Sequence, residues 1–114
     1  MSSSRGFVWF DNRSHQPEQT SGFYEALLGW SPTEGPPGMT MFAGDSGPWA
    51  GVSAAPNDTA GWLPYAEVPD LDAATDKATR LGATVVSPRA KGPAGSFTVV
   101  QDPGGARLAL WQKG

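Results

Sequence analysis

The chain has 114 residues with 11 acidic against 8 basic side chains, a net charge of −3, which suits one domain rather than two independent cores. It has no cysteine, which excludes a disulfide scaffold, cysteine–zinc and iron–sulfur sites and a thiol nucleophile; nor does it contain an apolar run near the ~20 residues of a membrane span. Its 15 glycines and 11 prolines stand beside 5 Trp, 2 Tyr and 5 Phe, a balance that fits short strands joined by tight turns rather than disorder.

Phe7-Val8-Trp9-Phe10, aromatic and β-branched, is the first predicted strand. Asp11-Asn12-Arg13-Ser14 is polar and turn-like. A helix is predicted over about 14–28. Ser14 is its candidate cap, Pro17 sits in its first turn, Phe23, Tyr24, Leu27 and Leu28 follow at helical spacing, and Gly29 suits its end. Residues 31–38 read as a loop after Trp30, and Trp30 itself as a core plug or a dimer contact. Met39–Ala43 and Trp49–Ala54 are strands on either side of the turn Gly44-Asp45-Ser46-Gly47, and Pro56-Asn57-Asp58 opens a surface loop.

The order then repeats. Trp62–Val68 is a strand, with Pro64 at an edge or a bulge. Asp70 caps a helix over about 70–81, with Leu71, Ala74, Ala78 and Leu81 on its apolar face and Asp76–Arg80 as an i,i+4 pair. Ala83–Val86 is a strand and Ser87–Gly95 a loop. Phe97–Gln101 and Arg107–Trp111 are strands joined by Asp102-Pro103-Gly104-Gly105, a strong hairpin signal. Leu28-Gly29 and Leu81-Gly82 close two helices nearly half a chain apart. The chain thus reads as an α+β fold of two β-α-β-β-β modules, over about 5–55 and 60–113, each with too little sheet to be stable alone.

Three stretches carry a family resemblance: Val8-Trp9-Phe10-Asp11 with Gly22-Phe23-Tyr24-Glu25-Ala26-Leu27-Leu28-Gly29-Trp30; Val68-Pro69-Asp70-Leu71-Asp72-Ala73 running to Leu81-Gly82-Ala83; and Val99-Val100-Gln101-Asp102-Pro103-Gly104-Gly105 with Leu108-Ala109-Leu110. In order and spacing they resemble the vicinal-oxygen-chelate superfamily of glyoxalase I, extradiol dioxygenases and bleomycin-resistance proteins. The resemblance implies a single domain in which two β-α-β-β-β modules form curved mixed sheets around a shared cup. It also implies a homodimer. Metal ligands of the family's metal-dependent members, counted from these motifs, fall at Trp9, at Ala50 or Gly51, at Leu63 or Trp62, and at Ala109. None of these can bind a divalent ion. The expectation is a chain with no metal and no cofactor, similar in logic to the family's drug-sequestering members.

Strand alternation assigns the faces. Val8 and Phe10, Ala66 and Val68, and Leu108 and Leu110 should pack on the helices. That leaves Phe7, Trp9 and Asp11, then Leu63, Tyr65 and Glu67, then Arg107, Ala109 and Trp111 facing the cup. Trp49 and Phe97 are expected to join them. Such a lining suits a flat, apolar, aromatic guest, oriented by Asp11, Glu67, Gln101 and Arg107. For each ring the plain alternative is ordinary core. His15 reads as an exposed helix-start residue, and Asp102 as a turn former.

The segment Met1-Ser-Ser-Ser-Arg5-Gly6 lacks the apolar stretch of a secretory signal, so a cytoplasmic location is expected. The mildly acidic balance shows no basic face for nucleic acid. There is no G-x-S-x-G elbow, no G-x-G-x-x-G and no P-loop, and Gly92-Pro93-Ala94-Gly95 has no helix behind it to complete a phosphate site. Two functional classes remain. One is sequestration or carriage of a small hydrophobic, aromatic natural product. The other is a metal-free isomerase, cyclase or lyase using Asp11, Glu67 or Tyr65. A dimer with a filled core and no ligand is a third, blander reading.

Overall fold

Gly29 turns the chain sharply, and the first module is organised by the residue that follows it. The computed structural model describes residues 6–56 and 59–114. In it, helix α1 spans Pro17–Leu28 with proline at its start, and Gly29 takes the left-handed conformation (φ 68°), its N–H donating to the Glu25 carbonyl at 3.0 Å. The turn delivers Trp30 onto the sheet. There its indole stacks on Tyr24 at 4.9 Å and meets Phe42 at 5.3 Å and Trp49 at 4.8 Å edge-on. Trp62 closes the cluster, its Nε1–H donating to Tyr24 Oη at 3.1 Å. Trp30 is therefore a core plug.

The element order is strand, helix and three strands, twice over: β1 (Trp9–Ser14), α1, β2 (Ser31–Glu34), β3 (Thr40–Gly44) and β4 (Gly47–Ala54), then β5 (Gly61–Glu67), α2 (Leu71–Arg80), β6 (Thr84–Gly92), β7 (Gly95–Gln101) and β8 (Arg107–Lys113). The chain divides into two compact units: Trp9–Leu63, and Pro64–Gly114 together with the residues up to Val8. In the first unit the strands lie in the order β2-β3-β4-β1, antiparallel except for the parallel pair β4–β1. In the second, β6-β7-β8-β5 repeats that arrangement with β8–β5 parallel. The fold is α+β with mixed sheets, as the duplicated pattern predicts. Among the described residues no helix is long and apolar enough to cross a membrane.

In each unit one helix covers one sheet face. Phe42, Ala50 and Val52 form the buried centre of the first, with Phe10, Tyr24, Trp30 and Trp49 packed against it. In the second, Leu71 is fully buried at the start of α2, and its N–H donates to Gln112 Oε1 at 2.7 Å. This supplies one of the acceptors that a helix start lacks. Asp70 caps the same helix, accepting from Ala73 N–H at 3.0 Å. Gly82 ends it at φ 102°, where a side chain would also press on Pro103. Asp102 Oδ1 accepts from the N–H groups of Gly104 and Ala106, so the β7–β8 turn is built by that side chain as expected.

Several expected boundaries move. The polar segment Asp11–Ser14 continues β1 rather than turning, because its backbone pairs with Gly51–Ala54. Phe7 and Val8 precede the strand, although Val8 N–H donates to the Tyr65 carbonyl at 2.8 Å. Ser14 is consequently a strand residue, and the helix cap is Gln16. Ser31–Glu34 is an edge strand, a position that tolerates Pro32. The segment after Val86 also remains in β6, accommodating Pro88 through two irregularities of register. Leu81 is 69% exposed rather than on the buried face of α2. No ion pair joins Asp76 to Arg80; Asp72 pairs instead with Arg89 at 3.1 Å. The segment 1–5 and the loop residues Asn57 and Asp58 lie outside the described residues.

Truncating Trp30→Ala is expected to cost about 3–5 kcal/mol in urea denaturation, whereas Leu81→Ala should change stability by no more than about 0.5 kcal/mol. Equal losses from the two variants would overturn the plug assignment.

Candidate functional site

The helix-covered faces are filled, so the candidate site is built from the opposite faces. In the second unit the ladder defines that face directly. Gln112 reaches α2, which turns Leu108 and Leu110 toward the helix and Arg107, Ala109 and Trp111 away from it. Phe97 lies opposite Trp111, and Trp111 is paired in turn with Glu67. The neighbouring row runs Val99, Ala109, Tyr65. Phe97 and Tyr65 approach to 5.8 Å between ring centroids. Three rings therefore surround Ala109, which is fully buried and contributes only a methyl group. Gly95 lets β7 lie close to β8: a side chain there would run into the Gln112 backbone carbonyl and would also meet Trp111 Nε1 at 2.9 Å.

In the first unit the corresponding face carries Trp9, Asp11 and Arg13 on β1 and Gly51 and Ser53 on β4. Asp11 is buried, and its Oδ2 lies 3.7 Å from Arg13 Nε on the same strand face. Gly51 is the key to the packing. A Cβ there would lie 3.0 Å from Trp9 Cζ2 and 2.9 Å from Met39 Sδ. The space where a ligand-bearing side chain would begin is thus taken by an indole edge and a thioether.

This arrangement tests the metal set that the family resemblance implies. Trp9, Ala50 or Gly51, Leu63 or Trp62, and Ala109 are the implied ligand positions, and none offers a nitrogen or oxygen lone pair suited to a divalent ion. Among the described residues no group of three or more His, Asp or Glu side chains comes together. The residues do not fit the family's metal.

Not every expected lining residue takes its expected place. Trp49 is on the helix side, packed at 6.2 Å against Phe10 and at 4.8 Å against Trp30. The cause is a β-bulge. Ala50 pairs with Phe42 and Pro48 with Ala43, leaving Trp49 as the extra residue and turning it to the same face as Ala50. The only sequence signal was Pro48, which cannot donate to the ladder. Phe7, outside β1, is 50% exposed. Leu63 is buried on β5 at the parity of Tyr65. Glu67 is exposed. Arg107 Nε–H donates to Gln101 Oε1 at 3.3 Å, so these two residues bind each other across the hairpin. Sequence reasoning missed Met39 and Gly51 as a packing pair, because nothing in the local pattern links a loop-end methionine to a mid-strand glycine.

Gly51→Ala is expected to destabilise the protein by about 1–3 kcal/mol through overpacking, and Trp9→Ala to relieve part of that cost, the Met39 contact remaining. Additive losses in a thermal-melting double-mutant cycle would contradict the contact.

Comparison with known proteins follows the same outline. Residues 8–111 match the model of the family described as Glyoxalase-like domain. The chain is 31% identical, over 94% of its length, to the anthracycline biosynthesis protein DnrV of Streptomyces peucetius. It spans just under half the length of the curated relatives it matches, 46% in that case. Among solved structures it resembles methylmalonyl-CoA epimerase from Mycobacterium tuberculosis, with a TM-score of 0.69 at 16% identity, covering 100% of this chain and 93% of that one. It also resembles a glyoxalase/bleomycin resistance protein/dioxygenase superfamily member from Vibrio splendidus 12B01, with a TM-score of 0.65 at 12% identity, covering 92% and 96%. At these identities the structural likeness shows the fold alone.

Proposed function

The chain belongs to the Glyoxalase-like domain family, and from that premise we propose that it binds and sequesters a small, flat, aromatic natural product without a metal ion. The observation that carries this reading is the helix-free face of the second module, where Tyr65, Phe97 and Trp111 surround the small Ala109. Rings in such an arrangement favour a planar apolar guest, each aromatic contact contributing roughly 0.5–1.5 kcal/mol beyond area burial. The lack of donor side chains at Trp9, at Ala50 or Gly51, at Leu63 or Trp62 and at Ala109 supports the same reading, because the family's metal-dependent chemistry polarises oxygen through an ion. The relative named for anthracycline biosynthesis suggests a fused aromatic ring system as the class of guest.

A second reading has a specific observation behind it. Asp11 is a buried carboxylate beside Arg13, on the same strand face as Trp9. A metal-free isomerase, cyclase or lyase would use it as an acid or base.

One experiment separates the two. An anthraquinone-type compound is titrated against tryptophan fluorescence, and the recovered compound is weighed by mass spectrometry and compared by chromatography, which also resolves isomers. Saturable quenching with unchanged compound supports sequestration; altered compound supports the enzyme. Trp111→Ala is expected to keep its melting temperature and to lose about 2 kcal/mol of binding, roughly thirtyfold. A folded variant that binds as tightly as the parent would remove this face from the proposal.

The proposal includes a homodimer and a cytoplasmic location. Strand β6 ends its unit's sheet order, and Leu81, Val85 and Val86 are exposed at the α2–β6 corner, features that favour a partner. Light scattering at micromolar concentration is expected to give the mass of two chains, and a monomer would count against it.

A further inference from the structure

Helices α1 and α2 hold the same place in the two modules, but only α2 is finished for solvent. Its exposed residues include Asp72, Asp76, Lys77 and Arg80, with an acid in the first turn and bases in the last. In α1 the only charged residues are Glu18 and Glu25, and their positions put both on the far side of the helix from Phe23. The side that remains carries Gly22, Phe23, Ala26 and Leu27, all exposed and none charged. The apolar surface continues beyond it. Phe23 meets Tyr24 at 5.1 Å, Tyr24 meets Trp62 at 5.5 Å, and Leu28 follows Tyr24 by one turn.

Gly22 says what kind of body covers this side. It lies inside the helix without a positive φ, and a Cβ built there would meet nothing within 4 Å. Glycine weakens a helix relative to alanine, and no described segment of the chain needs the space it leaves. Close approach by a second helix does need it. Phe23 and Leu27 stand beside the hollow left by Gly22 and Ala26, and a projection next to a hollow makes a face complementary to its own image across a two-fold axis. Antiparallel pairing also brings the positive end of one helix to the last turn of the other, where α1 has no basic residue. Glu18 and Glu25 stay outside such a contact.

The area is of the right order. Phe23, Leu27, Leu28 and Trp62 are between 40% and 63% exposed. Covering them removes roughly 400 Å² of apolar surface per copy, about half of what each partner gives to a standard interface. The curated relatives point the same way. The chain spans 46% of one and 44% of another, so each has room in a single chain for two bodies of this size.

We propose that two copies of this chain meet through α1, packed antiparallel with Phe23 and Leu27 of each against the Gly22–Ala26 hollow of the other. The inference rests on the homodimer reading above and places its contact on the first module, leaving the α2–β6 corner outside it.

The full chain is followed by sedimentation velocity at micromolar concentration, with circular dichroism to check folding. The parent is expected to sediment as two chains. Leu27→Glu, at an exposed position, should stay folded and weaken association about tenfold or more. Gly22→Gln, which favours the helix but fills the hollow, should also stay folded and weaken association. Val85→Glu, at the α2–β6 corner, should leave the dimer intact. A monomeric parent overturns the homodimer reading and this inference with it. A dimeric parent overturns this inference alone if folded Leu27→Glu or Gly22→Gln protein associates as tightly as before, or if Val85→Glu separates the copies.

Discussion

The packing of Trp30 beneath α1 is the contact on which the first module depends. It exists because Gly29 accepts a positive φ, ending the helix and aiming the next residue at the sheet. Tyr24, Phe42, Trp49 and Trp62 then find one another around a single indole. The rings fill the sheet face under α1, while Phe23, Leu27 and Leu28 on the helix remain exposed. With one face filled by core, any binding chemistry of the module falls to the other face.

The second module reaches the same topology with a different interior. Its helix is anchored by Leu71 and by polar contacts from Asp70 and Gln112, and its sheet turns Leu108 and Leu110 to that side. The rings here lie on the helix-free face. Duplication of the backbone pattern has therefore not duplicated the placement of aromatics: the first module packs most of its rings under α1 and keeps Trp9 on the opposite face, whereas the second places Tyr65, Phe97 and Trp111 on its helix-free face. That asymmetry supports reading Tyr65, Phe97 and Trp111 as a ligand wall.

Gly51 shows why no donor side chain rises from this point of β4. A metal ligand needs a side chain that rises from the strand into open space. Here the Cβ direction is occupied by Trp9 and Met39, so glycine is the residue that fits. The packing that leaves no room for a side chain at Gly51 is the same packing that seats the Trp9 ring on this face.

The sequence by itself determined the repeated strand–helix–strand order, both helix ends, the Asp102 turn and the parity of β5 and β8, since each follows from local backbone preference or a period of two residues. It also determined that the implied ligand positions carry no metal donors, since residue types are read without coordinates. What only the tertiary structure decided depends on pairing between distant segments. Asp11–Ser14 is strand because β4 supplies the hydrogen-bond partners, and Ser31–Glu34 is strand because β3 does. Trp49 faces the helix because one extra residue opposite Phe42 and Ala43 reverses the alternation. Asn12, polar and unremarkable in a predicted turn, becomes a buried amide only once β1 extends beneath α1. Ladder register and bulges are set by residues dozens of positions apart, and no local pattern encodes them.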